Sequence, residues 1–158
     1  MNVEDVGVRK AALVTGAASG IGRSAALALA RAGYDVAINY SRSEAAARGV
    51  ASAAEKLGAR TLLCKCDVAN DAEVRAMLMA VEAAFGRLDV LINNAGTTTS
   101  VKAKDFEAMT TEEWDRIFAV NVRGLFQVTR AALPLLRKSS EGARQICEMR
   151  SCGRCPGG

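Results

Sequence analysis

With 158 residues, half of them hydrophobic and 24% charged, the chain can bury one core and is too apolar to be wholly disordered. Aromatic residues supply only 4%, so that core has to be made of small aliphatic side chains and closely packed, alanine-rich helices. The formal charge of +4 comes partly from Arg144, Arg150 and Arg154 near the end, and elsewhere acids and bases alternate, so no basic stripe marks a nucleic-acid partner.

The first apolar run, 11–14, reads as a buried strand that ends at Thr15-Gly16. The pattern turns helical over 21–32, where Leu27 and Leu29 stand among alanines, and Gly33 stops it as a C-terminal cap. Residues 35–39 form a second short strand and 43–57 a second helix, ended by Gly58. A third strand, 61–66, passes through the polar turn Asp67-Val68-Ala69-Asn70 into a helix over 71–85. There Val74, Leu78, Val81 and Phe85 recur at spacings of four, three and four before Gly86 breaks the pattern. A fourth strand covers 88–93 and a polar loop 97–105; a long helix over 112–136 is interrupted by Gly124 and Pro134.

Short apolar strands without alternation imply burial on both faces, as in a parallel sheet with helices above and below. Right-handed crossovers put the second and third strands on one side of the first and the fourth on the other, which opens a crevice where the order reverses. The expected architecture is a Rossmann-like, doubly wound α/β sheet, incomplete at about four strands, over residues 1–142. A divergent, disordered tail over 143–158 is expected to follow it.

Thr15-Gly16-Ala17-Ala18-Ser19-Gly20-Ile21-Gly22 lies where the first strand gives way to its helix. Glycines there can take positive φ and let a phosphate approach the backbone, while the amides and dipole of the first helical turn hold a pyrophosphate. Thr15, Gly16, Ser19, Gly20, Ile21 and Gly22 are therefore candidate cofactor-binding residues, although the glycines could also serve only tight turns and helix packing. The second strand ends in Asn39-Tyr40-Ser41-Arg42-Ser43, without the acid expected to grip a ribose 2′-hydroxyl. Arg42, helped by Ser41 or Ser43, suits a 2′-phosphate and favours NADP(H) over NAD(H); alternatively it solvates the first turn of a helix. Asp67 and Val68 are placed to receive adenine, and Asp67 could equally cap the following helix.

Together these residues resemble the classical short-chain dehydrogenase/reductase family. The resemblance rests on the glycine motif at 15–22, on Asn93-Asn94-Ala95-Gly96 after Asp89-Val90-Leu91-Ile92, and on 114–122 with Asn121. It covers about residues 8–138, and Asn39-Tyr40-Ser41-Arg42 looks like NADP-preferring members related to the 3-oxoacyl carrier-protein reductases. It implies reversible hydride transfer between NADP(H) and a small-molecule carbonyl or alcohol. It also implies that Asn93 stabilises the central sheet, that Asn94, Ala95 and Gly96 belong to the cofactor crevice, and that Asn121 is the catalytic asparagine of a proton relay. By the same resemblance, the long helix builds dimer and tetramer contacts.

The family's chemistry needs a tyrosine with a lysine four residues later and a serine after a fifth strand. This chain has only Tyr34 and Tyr40, followed four positions on by Ile38 and Glu44, and it has no histidine. Ser139 and Ser140 read as loop serines that end a helix. From Gln145 onward the composition changes as in a shifted reading frame or an alternative terminal exon, so the outer edge of the fourth strand, at Val90 and Ile92, is expected to be unpaired. Cys152 and Cys155 form one CxxC without the ligands of a structural zinc site, and no metal site is expected. Five unevenly placed cysteines, no basic leader and no run of roughly 18 apolar residues point to a cytoplasmic chain with no membrane partner. The function expected is NADP(H) binding by a chain inactive on its own. The alternatives are a non-catalytic chain that associates with a full-length relative through the long helix, and an unstable product without independent function.

Overall fold

A computed structural model describes residues 9–99, 101, 103–139 and 145–148. Five parallel strands form one sheet in the order β3-β2-β1-β4-β5, namely β1 (Ala11–Val14), β2 (Asp35–Tyr40), β3 (Thr61–Lys65), β4 (Val90–Asn93) and β5 (Gln145–Glu148). The helices are α1 (Gly20–Arg31), α2 (Glu44–Glu55), α3 (Asp71–Phe85), α4 (Thr111–Phe118) and α5 (Leu125–Lys138). The doubly wound architecture and the reversal of strand order beside β1 are as the pattern predicts.

β1, β2 and β4 are buried at every position, which is why their sequences run apolar without alternating. Successive side chains of β1 feed opposite cores. Ala11 and Leu13 join Val74, Leu78 and Val81 of α3 and Val128 and Leu135 of α5. Ala12 and Val14 join Ala26 and Ala30 of α1 and Ala47, Val50 and Ala54 of α2. Alanine on the second face lets those two helices lie close to the sheet, so few aromatics are needed.

One helix cap differs from expectation. Asn70, not Asp67, caps α3, its side chain accepting from the amides of Ala72 and Glu73. Asn70 stands next to the helix start, whereas Asp67 is three residues too early to reach those amides. The long helix is interrupted at Gly124 as expected: α4 begins with a Thr110–Glu113 capping box, and a π-helical stretch over Ala119–Gly124, ending at that glycine, separates it from α5. At Gly124 a Cβ would stand 2.8 Å from Val68 Cγ2 and 3.1 Å from the Val68 carbonyl oxygen, so the helix presses its backbone onto the loop after β3.

The larger correction concerns the edge. Gln145–Glu148 forms a fifth strand paired in parallel with β4, from Val90↔Gln145 to Asn93↔Glu148, so β4 is interior and its outer edge is not free. Polar residues at both ends of that segment and exposure at all four positions explain why it carries no buried-strand signature. Ser140, Cys152 and Cys155, like the rest of 140–144 and 149–158, lie outside the described residues.

At the strand starts, away from the loops that follow β1–β4, two buried carboxylates hold the sheet. Asp35 pairs with Arg9 and Arg60, and Asp89 accepts from Arg87 and, at 2.8 Å, from the Ala11 amide. Burial pushes the Asp89 carboxyl up, but the Arg87 and Ala11 hydrogen bonds and the guanidinium charge outweigh it and hold the group below its ordinary value.

Candidate nucleotide-binding site

The loops leaving the C-terminal ends of β1–β4 converge, and buried polar side chains fasten them together. Asn39, at the end of β2, accepts from the Gly16 amide at 3.1 Å and donates to the carbonyls of Cys64 at 3.2 Å and Cys66 at 3.0 Å. The Thr15 hydroxyl accepts from the amides of Asn94 and Ala95, both at 2.9 Å. Asn94 Nδ2 donates to the carbonyls of Thr15 and Gly16 at 2.9 and 3.1 Å. Stitching β4 to the end of β1 thus falls to Asn94, while Asn93, to which the resemblance assigns the sheet, reaches Thr129 on α5 at 2.9 Å.

The three motif glycines do different work. A Cβ on Gly16 (φ 62°) would come within 2.9 Å of Ala95 Cα, and one on Gly22 would collide with Asn94 Nδ2 and stand 2.5 Å from the Gly16 carbonyl. These two are fixed by close packing. Gly20 (φ 55°) is fixed by its left-handed backbone, and its missing Cβ faces open space.

Two cavities that share Gly16, Ser41, Arg42, Ser43, Ala95 and Gly96 open over these loops. One, of about 400 Å³, is lined by Ser19, Gly20 and Ile21 from the first loop, by Tyr40, and by Asn94. The other, of about 260 Å³, adds Asn39, Cys66, Asp67, Val68, Thr97, Arg116 and Val120. Thr15 and Gly22 line neither, and contribute by holding the walls.

The N-termini of α1 and α2 both open on the 400 Å³ cavity, and neither Ser19 nor Ser43 makes a side-chain capping bond there. By contrast Asn70 caps α3 and Thr110 caps α4. The first-turn amides of α1, two helix dipoles and Arg42 make this wall suited to anionic oxygens, while on α2 the Glu44 amide already donates to the Arg42 carbonyl at 3.1 Å. Near the other cavity, Cys66 is a neutral thiol: burial, then the Glu73 and Asp67 charges, push its pKa up to about 12. Burial alone takes Cys64 to about 12.

Asn121 lies in the π stretch and lines neither cavity. Its side chain accepts from the Thr97 amide at 2.8 Å and donates to the Thr97 carbonyl at 2.9 Å, clamping the turn that follows Gly96. Sequence reasoning missed Arg116, which reaches Asp67 at 2.9 Å across 49 residues and lines the smaller cavity. Nothing in a polar helical stretch announces such a contact. Among the described residues no group of three or more His, Cys, Asp or Glu side chains could hold a metal, and no helix is long and apolar enough to cross a membrane.

A parallel sheet that reverses order beside its first strand, with glycines and uncapped helix starts at the reversal, defines a dinucleotide-type α/β unit. The chain belongs to the short chain dehydrogenase family, whose model matches residues 10–151. It is 41% identical over 134 residues to the 3-oxoacyl-acyl-carrier-protein reductase FabG of Staphylococcus aureus, covering 85% of this chain and 53% of that one. A short-chain type dehydrogenase/reductase of Picea abies is 43% identical over 129 residues, covering 78% and 47%. The crystal structure of a short-chain dehydrogenase from Burkholderia cenocepacia in complex with NADP superposes with a TM-score of 0.82 at 38% identity, covering 94% of this chain and 58% of the other. The chain thus spans about half the length of the curated relatives it matches.

Proposed function

We propose that this chain binds NADP(H) in the crevice above β1, as the nucleotide-binding part of an oxidoreductase acting on a small carbonyl or alcohol. The observation that carries this reading is the pair of uncapped helix N-termini opening with Arg42 onto one cavity. In it, Gly16, Ser19, Gly20 and Ile21 hold the diphosphate, while Tyr40, Ser41 and Arg42, with Ser43, surround the 2′-phosphate. Asp67 and Val68 receive adenine, and Asn94, Ala95 and Gly96 line the crevice. Thr15, Gly22 and Asn39 act through the loops they hold. The bound nicotinamide supplies the hydride donor or acceptor. The reading is supported by the NADP complex of the Burkholderia cenocepacia relative.

Nucleotide binding without turnover is part of the proposal. Tyr34 and Tyr40 are the only tyrosines in the 158 residues, neither has a lysine four positions later, and Tyr40 is buried. Asn121 would serve a relay whose tyrosine and lysine these residues do not supply.

A fluorescence titration with NADPH and NADH, repeated on Arg42→Ala, tests the site. NADPH is expected to bind more tightly, and the substitution to weaken it roughly tenfold while sparing NADH. Equal binding of both nucleotides, untouched by the substitution, overturns the preference. Robust carbonyl reduction by the same preparation overturns the claim of no turnover.

A second reading, association with another copy or a longer relative, is favoured by one observation. Trp114, Phe118, Val122 and Phe126 are all about half exposed at four-residue spacing, and the first two rings stack at 4.8 Å. Phe118, Val122 and Phe126 line a groove of about 780 Å³ that Asp115 and Arg123 also line. An antiparallel second copy would bring each Asp115 toward its partner's Arg123, about a centre at Ala119. Light scattering on Phe126→Asp tests association with another copy: a dimer that dissociates supports it, and a monomeric parent chain overturns it.

A further inference from the structure

Asp67 sits at the rim of the smaller cavity between two guanidinium groups. Arg116, from α4, donates to Oδ2 at 2.9 Å, and the Ala69 amide donates to Oδ1 at 3.0 Å. The Asp67 amide in turn donates to Glu73 Oε2 at 2.8 Å, so the residue is held from three directions. Arg42 lines the same cavity from the loop after β2, and its charge acts on the same carboxylate. Burial pushes the Asp67 carboxyl up, but the Ala69 and Arg116 hydrogen bonds, with the Arg116 and Arg42 charges, outweigh it and hold it below its ordinary value.

Both partners of the Asp67–Arg116 pair keep a third or more of their side-chain surface exposed, so the pair contributes little to folding stability. Its electrostatic effect on the cavity is the larger consequence. Asp67 places its carboxylate at this rim, and Arg42 and Arg116 supply two guanidinium groups. Without Arg116 the Asp67 carboxylate loses its hydrogen-bonded counter-charge where a phosphate has to enter, and Arg42 is the guanidinium left on this cavity to pair with it.

We propose that Arg116 is a positioning residue for cofactor selectivity: by occupying Asp67 it leaves Arg42 free for a 2′-phosphate and removes a repulsive charge from that phosphate's path. The proposal rests on the reading that Arg42 meets the 2′-phosphate. It separates the two arginines by role, Arg42 attracting the phosphate and Arg116 preventing its exclusion.

The test is titration of the full chain with NADPH and NADH, comparing the parent with Arg116→Ala, Arg116→Gln and the double variant Asp67→Asn/Arg116→Ala, all checked for folding by circular dichroism. Losing the Arg116 charge is expected to weaken NADPH roughly three- to five-fold more than NADH, the scale of a half-exposed charge pair. Removing the Asp67 charge as well is expected to return the NADPH-to-NADH ratio to within about twofold of the parent. Arg116→Gln keeps most of the side-chain stem and is expected to behave like Arg116→Ala, which separates charge from packing.

Equal weakening of both nucleotides, an unchanged ratio, or no recovery in the double variant overturns the proposal. If the parent prefers NADPH and Arg42→Ala abolishes the preference while both Arg116 variants keep it, only this inference fails. If the parent binds neither nucleotide or shows no preference, the proposed NADP(H) site fails first and the inference falls with it.

Discussion

β1 and β5 are both four residues long, and both pair in parallel with β4, one on each side. All four β1 residues are fully buried, whereas all four β5 residues are exposed, Ile146 at 45%. The same ladder geometry therefore has two different energetic bases. A buried leucine or valine contributes about 1.5–3 kcal/mol, while a backbone hydrogen bond contributes about 1 kcal/mol net. β1 is held by its side chains and β5 by its backbone bonds, so β1 amides should exchange only with global unfolding and β5 amides by local opening.

The sharpest way to break this comparison is to truncate β1. Leu13 is fully buried between α3 and α5, so Leu13→Ala is expected to cost about 4 kcal/mol, read as a shift in the urea midpoint. A cost under about 1 kcal/mol would mean that the β1 core is loosely packed.

Next in size is Asp89, which touches both strands. Its carboxylate accepts the Ala11 amide at the start of β1, and its carbonyl accepts the Gln145 amide at the start of β5 at 3.0 Å. Asp89→Ala leaves a buried amide without its acceptor and Arg87 without its partner, at a cost of roughly 3 kcal/mol. Because the folded carboxyl lies below its ordinary value, its contribution is fully present above the unfolded aspartate value of about 3.9. It is lost as pH falls from there through the folded value. Urea unfolding measured from pH 7 to pH 3 should therefore fall less steeply below about pH 4 in the variant than in the parent.

Gly22→Ala follows. Its new methyl meets Asn94 Nδ2 and the Gly16 carbonyl, the groups that tie β4 to the end of β1. Overpacking of this kind costs about 2 kcal/mol, and NADPH binding should be lost along with the loop geometry. Gly20→Ala, whose methyl meets nothing but whose backbone must hold a positive φ, is expected to cost about 1 kcal/mol in urea unfolding.

These residues also mark what the sequence could disclose. The runs at 11–14, 35–39 and 88–93 were legible because burial on both faces requires apolar centres such as Val36-Ala37-Ile38 and Val90-Leu91-Ile92, and the glycines because only they tolerate the turn and the close approach. β5 was not legible because its pairing is carried by backbone groups, which leave no imprint on side-chain identity. Asn93 and Asn94 are neighbours that serve α5 and β1 respectively, a division that only the register of β4 decides. The Asp67–Arg116 contact joins segments 49 residues apart, and no local pattern encodes it. Gly124 signalled an interruption in the long helix, but the π stretch depends on its fit against Val68, which is tertiary.

The smallest expected effect tests the other side of the comparison. Ile146 is the largest apolar side chain of β5 and already exposes nearly half its surface, so Ile146→Ala should cost only about 0.5–1 kcal/mol. In thermal unfolding that is a shift of roughly 2–3 °C for a chain of this size, with NADPH affinity unchanged because no β5 residue lines either cavity. A loss approaching that of Leu13→Ala would mean that another layer covers β5 in solution, whether a further segment of this chain or a second copy. Repeating the measurement across a hundredfold range of protein concentration separates the two: a loss confined to high concentration belongs to a second copy, and one independent of concentration to the chain itself.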